Sequence, residues 1–222
     1  MANEKEKIRQ TSLTAVNNSF FLTAILLILQ VVAWSAFYFL ITNKLGQHYA
    51  VAFQFVLVAL TVLMISSMIT GSILTYYEAA FAALPLLVSF VPMLTGTGGN
   101  AGSQSSTTII RAMTIGDVEP RDILRIVWKE IRVAVVVGVI LAGLNFIRLM
   151  LQYPGETLVC VTVVVSLMLT IILAKTIGCT LPILAQLLHL DPAIMAAPLI
   201  STIVDACSLI VYFQIACHLL AI

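Results

Sequence analysis

Six apolar runs, separated by short polar breaks, leave this chain one class of fold. They cover residues 19–41, 50–77, 84–111, 131–151, 158–188 and 193–222. A helix needs about 20 apolar residues to cross the hydrocarbon core of a bilayer, and several runs reach that length. Only 9% of the 222 residues are charged, against about 25% in a soluble domain. The expected fold is all-α and polytopic, a multi-pass protein of the plasma membrane with the lipid bilayer as its first partner. A net charge of +1 offers no basic surface to nucleic acid. The four cysteines, Cys160, Cys179, Cys207 and Cys217, lie inside apolar runs. They lack zinc spacing and read as small buried hydrophobes.

Orientation follows from the basic residues of the short loops. Arg111, Arg121, Arg125, Lys129 and Arg132 cluster around the charged region 112–130, which is expected on the cytoplasmic side. Counting back puts the N-terminus outside, against the pull of Lys5, Lys7 and Arg9. The run 19–41 is nevertheless long and nearly uncharged, so it is expected to span. It is too long for a signal-peptide core and has no clear cleavage site, so it reads as mature sequence.

The third run is interrupted by Pro92 and then by Gly96, Gly98, Gly99 and Gly102. Hydroxyls and amides crowd the same stretch: Thr95, Thr97, Asn100, Ser103, Gln104, Ser105, Ser106, Thr107 and Thr108. Glycine weakens a helix, and non-helical backbone survives at membrane depth only inside protein or along a watery cavity. The stretch therefore reads as a turn or as a glycine-loosened wall of a pathway. Gly99 with Ser103, and Gly102 with Ser106, also form small-xxx-small pairs suited to close helix packing. Neither a phosphate-binding loop nor a dinucleotide fingerprint is present, since no Lys follows and no βαβ unit exists. The sixth run is also broken, by Pro198, and paired broken segments often mark a transport site.

Asp205 is the sharpest single residue. Counting about 1.5 Å per residue from Ala193 places it roughly 18 Å into a helix crossing a core of about 30 Å. An intramembrane acid is by default a functional-site hypothesis. The structural alternative is an Asp that is protonated or paired with Lys175, the one intramembrane cation, which can itself snorkel toward the cytoplasm. Ser201, Thr202, Pro198 and Ala197 precede Asp205 by four, three, seven and eight residues, on one helix side. Ser201 reads equally as a packing residue and as an oxygen ligand. Glu78 reads as an interfacial acid ending the second run or as a cation entrance. Asp191-Pro192 reads as a turn that opens the sixth run. The charges of 112–130, Glu130 among them, read as a solvated loop and helix start.

These motifs together resemble the transmembrane domain of the MgtE family of magnesium channels and transporters. The likeness rests on Tyr77-Glu78 with Phe90-Val-Pro92 and on Gly96-Thr-Gly-Gly-Asn-Ala-Gly-Ser-Gln104 with Ile110-Arg111. It continues in Asp191-Pro192-Ala193, Pro198-Leu-Ile-Ser-Thr-Ile-Val-Asp205 and Ile210-Val-Tyr212. It implies a homodimer with a pore near the two-fold axis, made of five core helices. The implied division is a polar N-terminus over 1–18, an extra hydrophobic helix and loop over 19–49, and the pore domain over 50–222. Asp205 would meet its own copy there and hold a hydrated divalent cation, with carbonyls of Gly96, Gly99, Ala197 and Ser201 assisting. Asn100, Thr202, Pro198 and Glu78 would line or open the path. Mg²⁺ takes oxygen ligands and sheds water reluctantly, in keeping with a water-mediated site. The family's acidic helical domain and paired CBS domains have no counterpart in these 222 residues, so gating by them is not carried over.

The function expected is a divalent-cation channel or facilitator, foremost for Mg²⁺, with the ion as cargo and no cofactor. An ion-coupled carrier on the same scaffold is the alternative, and steep proton or sodium dependence of flux would separate the two. An enzyme is not expected, since only one acid lies deep in the membrane.

Overall fold

The computed structural model describes residues 25, 28–29, 31–35, 38–39, 47–189 and 197–221. The N-terminal 18 residues, most of the run 19–41 and Asp191-Pro192 lie outside them. The chain divides into two compact units, residues 1–75 and 76–222. In the first, α1 (Gln47–Tyr76) is one long helix that carries the apolar stretch Leu60–Tyr76.

The second unit opens with a short helix, α2 (Glu78–Ala83), and a 3₁₀ turn over Pro85–Phe90. Glu78 thus begins an element rather than ending the long helix before it. Helix α3 (Val91–Thr114) follows at once, with Pro92 in its first turn, where a missing N–H costs nothing. It runs unbroken through all four glycines, so the stretch is not a turn, and its backbone is regular helix rather than loosened. The reason is tertiary. Glycine's penalty of about 1 kcal/mol per residue is offset where its bare backbone admits close packing. Beyond Thr114 the chain turns at Gly116, whose φ of +81° few other residues accept. Its N–H donates to the Met113 carbonyl, and that of Asp117 to the Ala112 carbonyl, closing off the helix end.

A 3₁₀ turn over Pro120–Asp122 leads into α4 (Ile123–Gln152). Helix therefore starts well before residue 131, and Glu130 belongs to it rather than to a loop. A turn at Gly155 (φ +101°) precedes α5 (Thr157–Leu187), and α6 (Ala197–Leu220) closes the unit. Three of these helices are long and apolar enough to cross a bilayer: Pro120–Gln152, Thr157–Leu187 and Leu199–Leu220. The chain is all-α and polytopic. On α4 the apolar residues Val136, Ile140, Leu144 and Ile147 are all exposed along one side, as lipid contact requires.

Helix α5 lies at the centre, packed against α3, α4 and α6, while α3 also packs on α6. Val163, Ile171, Ala174, Cys179 and Ile183 of α5 are fully buried. Gly98 sits at the junction of three helices. A methyl group there would lie 2.9 Å from Thr170 Cγ2 and from Val204 Cγ1. One turn on, Gly102 abuts the Ala174 carbonyl oxygen, and Gly178 meets the backbone of Gly102 directly. Such small-residue contacts replace the hydrophobic effect as the source of helix association in lipid. Tyr212, fully buried on α6, donates its phenol to the Leu87 carbonyl at 2.9 Å. That bond anchors the 3₁₀ turn from which α3 starts.

A polar groove between α3 and α6

Helix α3 has two faces with different tasks. Leu94, Gly98, Gly102, Ser105, Ser106 and Ile109 are buried against the bundle. Pro92, Thr95, Gly96, Gly99, Asn100 and Ser103 instead line a cavity of about 370 Å³, closed on its other side by Ser201 and Asp205 of α6. The α3 residues follow a spacing of three and four, which is one side of a helix. Gly96 and Asn100 are exposed, so the cavity is a groove open along one flank.

Asp205 is half-buried on α6, roughly 9 Å beyond Leu199, the first residue of the apolar span. A methyl group on Gly99 would lie 3.7 Å from Asp205 Oδ1 and 3.6 Å from Ser201 Cβ. Gly99 thus lets α3 expose bare backbone opposite the carboxylate. Lys175 does not pair with Asp205, nor does it snorkel away. Its Nζ donates to Glu130 Oε2 at 3.1 Å. The other ion pair among the described residues joins Arg121 to Glu119, so Asp205 has no ionic partner among them.

Of the residues singled out from sequence, Asp205, Gly96, Gly99, Ser201 and Asn100 come together in this groove. Thr202 is on α6 but outside the lining, and Glu78 is exposed on α2, also outside it. Ala197 and Pro198 form the start of α6, and their side chains lie outside the described residues. Pro92, Thr95 and Ser103, noted in the sequence but not assigned to the site, complete the lining. Their spacing relative to Gly96 and Gly99 was available in the sequence, once the stretch is treated as helix. No group of three or more His, Cys, Asp or Glu side chains gathers among the described residues. The groove offers one carboxylate and a set of neutral oxygens, the hard ligand type that Mg²⁺ and Ca²⁺ take.

The profile of the MgtE family, described as divalent cation transporters, matches residues 91–215, from the start of α3 through most of α6. The chain belongs to the MgtE family. Among curated relatives, the magnesium transporter MgtE of Thermus thermophilus is 38% identical over 157 residues. Those of Bacillus subtilis and Enterococcus faecalis are 35% and 28% identical over the same length. Each alignment covers 71% of this chain but only 34–35% of the relative. The chain thus spans about a third of the MgtE proteins it matches, and the family match over 91–215 holds the whole groove.

Proposed function

We propose that this chain conducts a hydrated divalent cation, Mg²⁺ foremost, through a path built by two copies whose grooves face each other across a two-fold axis. The observation that carries the reading is the placement of Asp205: one carboxylate, without an ionic partner among the described residues, in a groove of hydroxyls, an amide and bare glycine backbone. Charge attracts the ion, and the neutral oxygens of Thr95, Asn100, Ser103 and Ser201 hydrogen-bond to its water shell. The groove's 370 Å³ has room for on the order of ten waters, enough for a cation that keeps its octahedral shell. The magnesium transport named for the relatives supports the choice of ion. The open flank supports the dimer, since a conduit in lipid needs a second wall. On this reading the membrane part comprises five core helices and a further helix over 19–41, in the plasma membrane, with 112–130 facing the cytoplasm.

The test is Mg²⁺ entry into proteoliposomes. Asp205→Ala is expected to lower flux per inserted protein by at least about tenfold, the effect of roughly 1.4 kcal/mol in ion stabilisation. Equal flux in wild type and variant would falsify the assignment of Asp205. Flux insensitive to proton and sodium gradients is expected for a channel or facilitator.

A further inference from the structure

The face of α3 turned away from the groove carries a second polar feature. Ser105 is 1% exposed, and its Oγ lies 2.9 Å from Glu130 Oε2 on α4 and 3.2 Å from the Lys175 carbonyl oxygen on α5. Lys175 Nζ donates to the same Glu130 oxygen at 3.1 Å, and both charged side chains are only 12% exposed. One carboxylate oxygen thus receives a proton donor from α3 and another from α5.

A buried ion pair seldom stabilises more than apolar side chains of equal volume would. Its value here lies in direction. Between Leu94 and Ile109, the buried face of α3 presents only small side chains, Gly98, Gly102 and Ser106 beside Ser105, a stretch with little relief to seat in a neighbour's grooves. The close contacts at Gly98 and Gly102 set how near α3 lies to its neighbours, and a directional bond adds a restraint on its rotation. Thr95, Thr107, Thr108 and Thr114 all donate back into α3 itself. Among the described residues, Ser105 is the sole α3 side chain that donates a hydrogen bond to another helix. It lies two positions beyond Ser103 of the groove, with only Gln104 between them. A rotation of α3 by about 25° moves each Cα by about 1 Å, on a cylinder of about 2.3 Å radius.

We propose that Ser105, Glu130 and Lys175 form a polar clamp that fixes the rotation of α3, and thereby the spacing of Gly99 and Asn100 from Asp205. They are positioning residues for cation selection, a role that rests on the conduction reading above. Ser105→Ala removes one oxygen and leaves the ion pair in place, and Glu130→Gln removes its anion. Mg²⁺ and Ca²⁺ entry are measured over a range of concentrations in proteoliposomes, together with hydrogen exchange of residues 96–103. A hydrogen bond to a charged group lost from the clamp is expected to change the Mg²⁺/Ca²⁺ flux ratio or the half-saturating Mg²⁺ concentration by about tenfold. Exchange over 96–103 should rise in parallel. A role confined to stability lowers the amount of folded protein and leaves ratio and half-saturation alone. If Ser105→Ala matches wild type in ratio, half-saturation and exchange, the clamp is wrong, whether or not Glu130→Gln folds. A wild-type chain that passes neither cation overturns the conduction reading instead. The exchange arm then still reports whether the clamp orders α3.

Discussion

Gly98 and Gly99 are adjacent in sequence and opposite in duty. Gly98 is buried where three helices meet, with no room for a methyl group, whereas Gly99 faces the groove at ordinary contact distances. Gly98→Ala is expected to cost about 1–3 kcal/mol through overpacking, visible as a lower thermal midpoint in detergent and a smaller folded yield. Gly99→Ala should keep or raise that midpoint, because Ala favours helix by about 1 kcal/mol over Gly. It should still reduce Mg²⁺ flux, because its methyl group points at Asp205. A matching loss of stability in both variants would show that the two faces are not separate. The sequence made the density of glycines plain but not this division. Glycine count signals a weak helix, and only the helical spacing of Gly96, Gly99, Asn100 and Ser103 reveals which side is which. Asp205 was legible because a charge inside an apolar run stands out whatever its neighbours do.

At the level of elements, the helices divide into those read from hydropathy and those set by specific contacts. The crossings of α4, α5 and α6 follow from apolar length alone. The entry to α3 does not. The 3₁₀ turn over Pro85–Phe90 is held by the phenol of Tyr212, which sits 125 residues away in sequence. Tyr212→Phe leaves the buried Leu87 carbonyl without that donor and is expected to cost about 1–3 kcal/mol. Hydrogen exchange should rise over residues 85–90 while the centre of α5 stays protected. Glu130 teaches the complementary lesson. It falls within a charged cluster, and composition assigns such a cluster to water. Yet Arg121, Arg125, Lys129 and Arg132 are exposed around the helix while Glu130 turns inward to Lys175. Charge density shows that a segment meets polar surroundings. It does not show which member of the segment turns toward the protein.

For the whole molecule, membrane class and family were both readable before any coordinates, since six apolar runs and a handful of motifs suffice for each. Topology is the property to measure next. The loop 115–119 carries exposed Asp117, and Asp117→Cys is expected to react with an impermeant thiol reagent only from the cytoplasmic side. The dimer proposed above brings two open grooves together. Asn100→Cys, on the groove's rim, is therefore expected to form a cross-linked dimer in membranes under mild oxidation, and Leu144→Cys on the exposed apolar side of α4 is not. A cross-link at Leu144 and none at Asn100 would assign the dimer to a different surface.

The open flank of the groove has a genetic consequence. A conduit closed within one chain tolerates a defective second copy, because each intact chain works alone. A path divided between two chains does not. If the proposed dimer forms, a cell producing wild-type and Asp205→Ala chains in equal amounts has at least one altered partner in most of its randomly paired dimers. The altered allele should then act dominantly, depressing growth in low magnesium beyond the loss expected from its own share of the protein.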